Sequence, residues 1–250
     1  MDSFGRERRV GTHRTERRSS LRRTALAAAI AMLASATAPA PVPQSHGDKE
    51  AQAIAALQTI AAAQAQLKAD VDIDTDCDGV GEYGYFAELA GTMPLRVSDQ
   101  CMPAAGSSAD ILTPPLLETS YGMVSHRFIL RGGYIFQMWL PYWTAGGLVP
   151  AVAEDLSGGK AAAPFPESHN GGRLWCCYAW PIKYSDTTRR AFFVNQSGEV
   201  FQTWGNPRYP FSGMSRWPLF DSAYMVPGTM GTPVRIGTAD ACGTIWLRLP

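Results

Sequence analysis

Between residues 50 and 69 the chain is built largely of Ala, Gln and Leu, and its apolar members recur at the spacing of an α-helix. At 100° per residue, Ile54, Leu57, Ile60, Ala61, Gln64 and Leu67 fall within an arc of about 140°. Such a stripe must be covered by another part of the molecule. Gln64 lies inside it, so its amide needs hydrogen-bond partners on the covering surface, and backbone beneath it is the natural source. Asp48 is placed to cap the helix. The preceding stretch, residues 37–48 with Pro39, Pro41, Pro43 and Gly47, reads as a linker that holds no helix.

Downstream the pattern shortens to β-rich runs. Residues 127–130 and 134–140 flank Arg131-Gly132-Gly133, a hairpin signal, and Tyr134, Phe136, Met138 and Leu140 alternate along the second run. Residues 175–182 and 190–195 make two further strands, and Gln196-Ser197-Gly198 turns the chain into 199–204. Residues 244–249 suit an edge strand that Pro250 ends. The expectation is an α+β fold in which an N-terminal amphipathic helix packs on a small antiparallel β-sheet with long irregular loops, residues 49–250 forming one globular domain. With 46% hydrophobic and 10% aromatic residues, the chain can bury a real core. The Pro/Gly-rich segments 141–173 and 205–233 are long for irregular structure, which points to binding function or disorder there. No repeat at a fixed period supports a solenoid or propeller.

The formal charge of zero hides an asymmetry, because eight arginines precede residue 24. An apolar run, residues 24–33, follows them, then Ala34-Ser35-Ala36, a small-x-small cleavage pattern; residues 1–36 have the layout of a basic leader and signal peptide. Arg17-Arg18 also fits a twin-arginine signal. The expected address is outside the cytoplasm: periplasmic, cell-surface or extracellular. The apolar run is short for a membrane span, so membrane contact is expected only if the leader stays uncleaved. Without residues 1–36 the balance is 22 − 8 = 14 basic against 22 − 3 = 19 acidic side chains, a net charge of −5 that argues against nucleic acid as a partner.

Export permits disulfides, and the five cysteines, an odd number, leave at least one thiol over unless chains pair. Cys77 with Cys101 is the preferred bridge, since the two flank a loop-rich segment. Cys176 and Cys177 are adjacent in a strand and point to opposite faces, so at most one can readily meet a given partner such as Cys242. No Cys-x-x-Cys supports a zinc ribbon or a thioredoxin-type site.

The most specific local pattern is Asp72-Ile-Asp74-Thr-Asp76-Cys-Asp78-Gly79-Val-Gly81-Glu82. Carboxylates at alternate positions followed by Gly can wrap oxygen ligands around calcium. Asp74, Asp76, Asp78, the Val80 carbonyl and Glu82 then fill the first, third, fifth, seventh and ninth positions of an EF-hand-like loop. Tyr85 stands where the bidentate Glu would be. Like charges this dense repel one another without a cation, which favours structural calcium over a bare solvated turn.

The helix Glu50-Ala-x-Ala53-Ile-Ala-x-Leu57-x-Thr59-Ile60-x-x-Ala63-Gln64, the segment Asp76-Cys-Asp78-Gly79-Val-Gly81-Glu82-Tyr83-Gly84, and the later runs Gly133-Tyr134-x-Phe136-x-x-Trp139-Leu140-Pro141, Tyr178-Ala179-Trp180-Pro181 and residues 190–200 together resemble type IV pilins and type II secretion pseudopilins, especially the planctomycete-type bacterial pilin-like family. The resemblance covers roughly residues 49–225. It implies a helix lying on an antiparallel sheet and a non-enzymatic structural or assembly subunit of the cell envelope, with homologous pilin-like subunits or other envelope proteins as partners. Structural calcium in a loop is also implied. The chain departs from that family in lacking Gly-Phe-Thr-Leu-Ile-Glu before a long hydrophobic anchor, so a secretory leader stands in place of the usual cleavage motif.

Catalytic signatures are weak. Gly213-Met-Ser215-Arg-Trp217 holds half a nucleophile elbow, His46, His126 and His169 are isolated, and Glu154, Asp155 and Glu167 match only the loosest rule for paired carboxylates. A binding module is the stronger rival to the subunit reading. Trp139, Trp180, Phe192 and Phe201 are expected in the core, whereas Tyr142, Trp143 and Trp217, next to Pro and Gly, are expected exposed and able to stack on a glycan or anchor a protein. Trp204 and Tyr209 extend this aromatic set.

Overall fold

A computed structural model describes residues 46–143, 146–185, 188–203, 208 and 210–249. The leader, most of the linker, Trp204, Tyr209 and Pro250 lie outside the described residues. The elements run α1 (His46–Asp70), α2 (Phe86–Leu89), β1 (Val97–Asp99), β2 (Met102–Ala104), β3 (Ile129–Arg131), β4 (Tyr134–Pro141), β5 (Ala151–Ala153), α3 (Ser168–Gly171), β6 (Cys176–Pro181), β7 (Phe192–Asn195), β8 (Val200–Thr203) and β9 (Trp246–Arg248). The fold is α+β. Strands β3-β4-β6-β7-β8-β9 lie side by side and all pair antiparallel, with β5 added to β4, while β1 and β2 form a separate ribbon.

The first hairpin forms where the glycines require it. Arg131 pairs with Tyr134, leaving Gly132 and Gly133 as a two-residue turn at φ 57° and 84°, a left-handed pair that matches the twist of the strands it joins. The C-terminal run makes edge strand β9, as expected. The helix begins two residues before Asp48, within the stretch read as linker, and Asp48 stands in its first turn rather than at its cap. There its charge still complements the N-terminal dipole.

Alternation along the strands divides the sheet into two cores. Tyr134, Phe136 and Met138 of β4, Cys177 and Ala179 of β6, and Phe192 and Val194 of β7 face α1 and bury Leu57, Ile60 and Leu67. Their neighbours Ile135, Cys176, Tyr178, Trp180 and Phe193 point the other way, onto Phe211, Tyr224, Met230 and Trp246. The two adjacent cysteines therefore sit in different cores. Trp180, Phe192 and Phe201 are buried as expected, and Trp139 is half-buried against the second core.

The second cover is supplied mainly by the segment beyond residue 205, which was expected to serve binding or to lack order. Its backbone is held by the polar tips of core aromatics: Trp180 Nε1 donates to the Gly213 carbonyl (2.9 Å), the Tyr178 hydroxyl to Phe220 (3.0 Å) and Trp246 Nε1 to Ser222 (2.9 Å). Each ring buries its body and uses its one polar group to satisfy a carbonyl that no ladder reaches.

On the α1 side, Gln64 is fully buried and pairs with one backbone unit. Its Nε2 donates to the Gly84 carbonyl (2.7 Å) and its Oε1 accepts the Gly84 N–H (2.9 Å). Glu50 ties the start of the helix to the sheet by accepting Arg190 Nε at 2.8 Å. No described helix is long and apolar enough to cross a membrane.

Replacing Gln64 by Leu leaves a buried N–H and a buried carbonyl without partners, so Q64L is expected to lose about 2–4 kcal/mol of unfolding free energy in a urea titration. A loss below about 1 kcal/mol would mean that the pair does not anchor the helix.

Candidate functional site

Three loops meet near the ends of β4 and α1. The first is the acidic turn. Asp74 accepts the N–H groups of Asp78 and Gly79, each at 3.1 Å, and Asp78 accepts that of Val80 at 2.7 Å. Gly79, at φ 80°, supplies the tight turn expected of it. One carboxylate oxygen from each of Asp74, Asp76 and Asp78 lies within 4.8 Å of the others, a spacing that oxygens 2.3–2.6 Å from one calcium ion can adopt. Burial and the neighbouring charges of Asp78 and Asp74 push the Asp76 carboxyl above the usual range.

Glu82 does not join them. Expected as a calcium ligand, it turns into the protein, where one oxygen accepts Thr75 N–H (2.7 Å) and hydroxyl and the other accepts Arg96 Nη1 (3.2 Å). The alternating register of the aspartates ends at Gly79, and this carboxylate pairs with a buried guanidinium instead. Arg96, fully buried, also donates from Nε to Glu88 (3.0 Å) and from Nη2 to the Tyr83 carbonyl. Burial would lower its pKa, but Glu88 and Glu82 outweigh that and hold it raised. Sequence reasoning missed this cluster. Its visible signal was charge inside apolar runs, Glu88 in Tyr85-Phe-Ala-Glu-Leu-Ala90 and Arg96 after Pro94-Leu95, where an ionised group needs a partner.

The second loop is pinned to the first by the Cys77–Cys101 disulfide, the expected bridge, whose Cα atoms stand 5.3 Å apart. Closing a loop with ends 24 residues apart removes about 3.5 kcal/mol of unfolded-chain freedom. It holds Met102 and Pro103 beside the acidic turn.

The third comprises residues 142–143 and 163–169. Tyr142 N–H donates to Pro150 (2.8 Å) and Glu167 N–H to the Pro141 carbonyl (2.9 Å), fixing both segments to the end of β4. Glu167 caps α3, accepting the N–H of His169 (3.1 Å) and of Asn170 (2.9 Å). Ser168 Oγ meets Thr75 Oγ1 at 2.6 Å, which closes a polar chain from α3 through Thr75 and Glu82 to Arg96.

The three loops border an open cleft of about 630 Å³. Asp76 lines it from the acidic turn and Met102 from the disulfide loop; Tyr142, Trp143, Phe165 and His169 line it from the third. Trp143 is 70% exposed and Tyr142 38%. Two features expected separately, the acidic turn and the exposed aromatic pair, thus share one cleft. Trp217, expected to act with that pair, is exposed but does not line this cleft: Ser212 and Arg216 bridge just before it, within the cover of the second core.

The remaining acids are accounted for elsewhere. Asp155 pairs with Lys160 (2.6 Å), and Glu154 is buried, accepting the Gly159 N–H at 3.0 Å. Burial pushes the Glu154 carboxyl up to about 8. His169 receives Arg173 Nη1 at 3.3 Å, and the side chain of His46 lies outside the described residues. Comparison with protein-family models, curated proteins and solved structures finds no match to this chain.

Two measurements follow from these groups. If calcium occupies the acidic turn, it should raise the melting temperature and D76A should abolish the rise; a melting curve indifferent to calcium and chelator removes that ion. For Glu154, the folded pKa of about 8 lies above the ordinary 4.5, so its stabilising contribution is complete below pH 4.5 and is lost as pH rises through 8. Unfolding free energy should fall across that window by about 2–5 kcal/mol, and E154Q should flatten the fall. An unchanged slope in E154Q would assign it to other groups.

Proposed function

We propose that this domain is a non-enzymatic binding module whose helix-on-sheet scaffold presents the cleft at Asp76, Tyr142 and Trp143 to a ligand. The observation that carries the reading is the convergence of exposed aromatic rings and a carboxylate turn in one open cleft. Ligand sites are concave, mostly apolar and furnished with a few polar groups, and this cleft has that make-up. Its polar residues favour binding over chemistry: Glu167 is engaged as a helix cap and His169 with Arg173, and no nucleophile–base pair is formed between them.

The pilin-like expectation is carried forward as the class of scaffold, supported by α1 lying across antiparallel strands. With both sheet faces covered, a structural or assembly subunit of that class would meet envelope partners through its loops and edges, the same regions that form the cleft. Export is part of the proposal, supported by the basic leader with its Ala34-Ser35-Ala36 site and by the disulfide. Calcium in the acidic turn is compatible with it and would brace one wall.

Ligand-observed NMR on the full chain, with a mixed panel of oligosaccharides and small amines, tests the reading. At least one class should bind, and W143A should weaken it about tenfold while leaving the unfolding midpoint within error. Binding indifferent to Trp143, or confined to other surfaces, would refute it.

A further inference from the structure

Acidic side chains line the cleft. Among its described lining residues Asp76 and Glu167 carry the carboxylates, His169 adds an imidazole, and neither Lys nor Arg is present. Glu167 already accepts backbone and side-chain N–H groups of α3, which leaves Asp76 as the lining carboxylate not engaged as a helix cap. Asp74 and Asp78, each with an oxygen within 4.8 Å of the Asp76 carboxylate, add to the negative potential at that wall. The guanidinium of Arg173 is bonded to the lining His169.

The rest of the lining is aromatic and aliphatic: Tyr142, Trp143 and Phe165, with Met102 65% exposed at the mouth. Ring faces carry negative quadrupole density, so they attract a cation for the same reason that Asp76 does. A neutral sugar would also stack on these rings. Its hydroxyls could donate to the carboxylate, but they would leave its charge unpaired and would find no Asn or Gln amide among the described lining residues. At about 630 Å³ the space suits a small molecule.

Resting on the binding-module reading, we infer that the cleft, when the acidic turn holds no calcium, takes a small organic ammonium ion, its charged head beside Asp76 and its apolar body against Tyr142, Trp143 and Phe165.

Isothermal titration of the full chain in chelator tests this with choline and benzyltrimethylammonium as probes. The uncharged 3,3-dimethylbutan-1-ol, of the same shape as choline, and a neutral cello-oligosaccharide serve as comparators. Both cations should bind at least tenfold more tightly than the alcohol; D76N and W143A should each weaken them about tenfold, and raising the salt should weaken them further. Both substitutions are at the cleft wall, and unchanged far-UV circular dichroism checks that the variants are folded. Equal binding of cation and alcohol, or cation binding untouched by D76N, overturns the inference. Trp143-dependent binding of the oligosaccharide alone, or of a basic peptide but neither small cation, also overturns it while leaving the binding-module reading standing. No Trp143-dependent binding by any probe counts against both.

Discussion

A sheet whose central strands are apolar on both faces must be covered twice, and the rest of this molecule is arranged around that requirement. In β6 and β7 every residue is buried, and successive side chains enter opposite cores. One cover is a regular helix, which satisfies its own backbone and offers a stripe of side chains. The other is a segment with almost no regular structure. It works as a cover because Trp180, Tyr178 and Trp246 of the sheet lend it hydrogen-bond donors where a helix or strand would have supplied its own. Each indole or phenol buries apolar area and fixes a carbonyl in the same act.

That asymmetry explains what could be read in the sequence. The helix was legible because its period of 3.6 survives in the residue pattern, and Gln64 was legible as an exception that needed an explanation. Gly132-Gly133 and the alternation after it disclosed the first hairpin. The cover beyond residue 205 carries no period, since its contacts are made by scattered residues such as Phe211, Tyr224 and Met230, so it looked like a loop available for binding. Strands β1, β2 and β5, three residues each like β3 and β9, lack the Gly-Gly turn and the terminal proline that mark those two.

The candidate site was half legible for a related reason. Asp76, Tyr142 and Trp143 each stood out from their neighbours, but what joins them is long-range: a disulfide, the bond from Glu167 to Pro141 and the contact between Ser168 and Thr75. Glu82 was misread because spacing alone assigns it to the acidic series. Only the position of Arg96, distant in sequence and wholly buried, shows that the carboxylate belongs to the interior.

The Arg96 cluster bears on the cleft through rigidity more than through stability. A buried ion pair returns little net free energy, because the desolvation of its charges offsets most of their attraction, but it tolerates few alternative geometries. Here one guanidinium holds Glu82, Glu88 and the Tyr83 carbonyl together, and Glu82 in turn holds Thr75, whose hydroxyl meets Ser168 on the cleft wall. The acidic turn and the α3 segment are thereby set against each other before any ligand arrives. A cleft whose walls are already positioned loses little conformational freedom on binding, so even a small ligand with few contacts retains most of its interaction energy. Loosening that spine should therefore weaken binding even though none of its charged members lines the cavity.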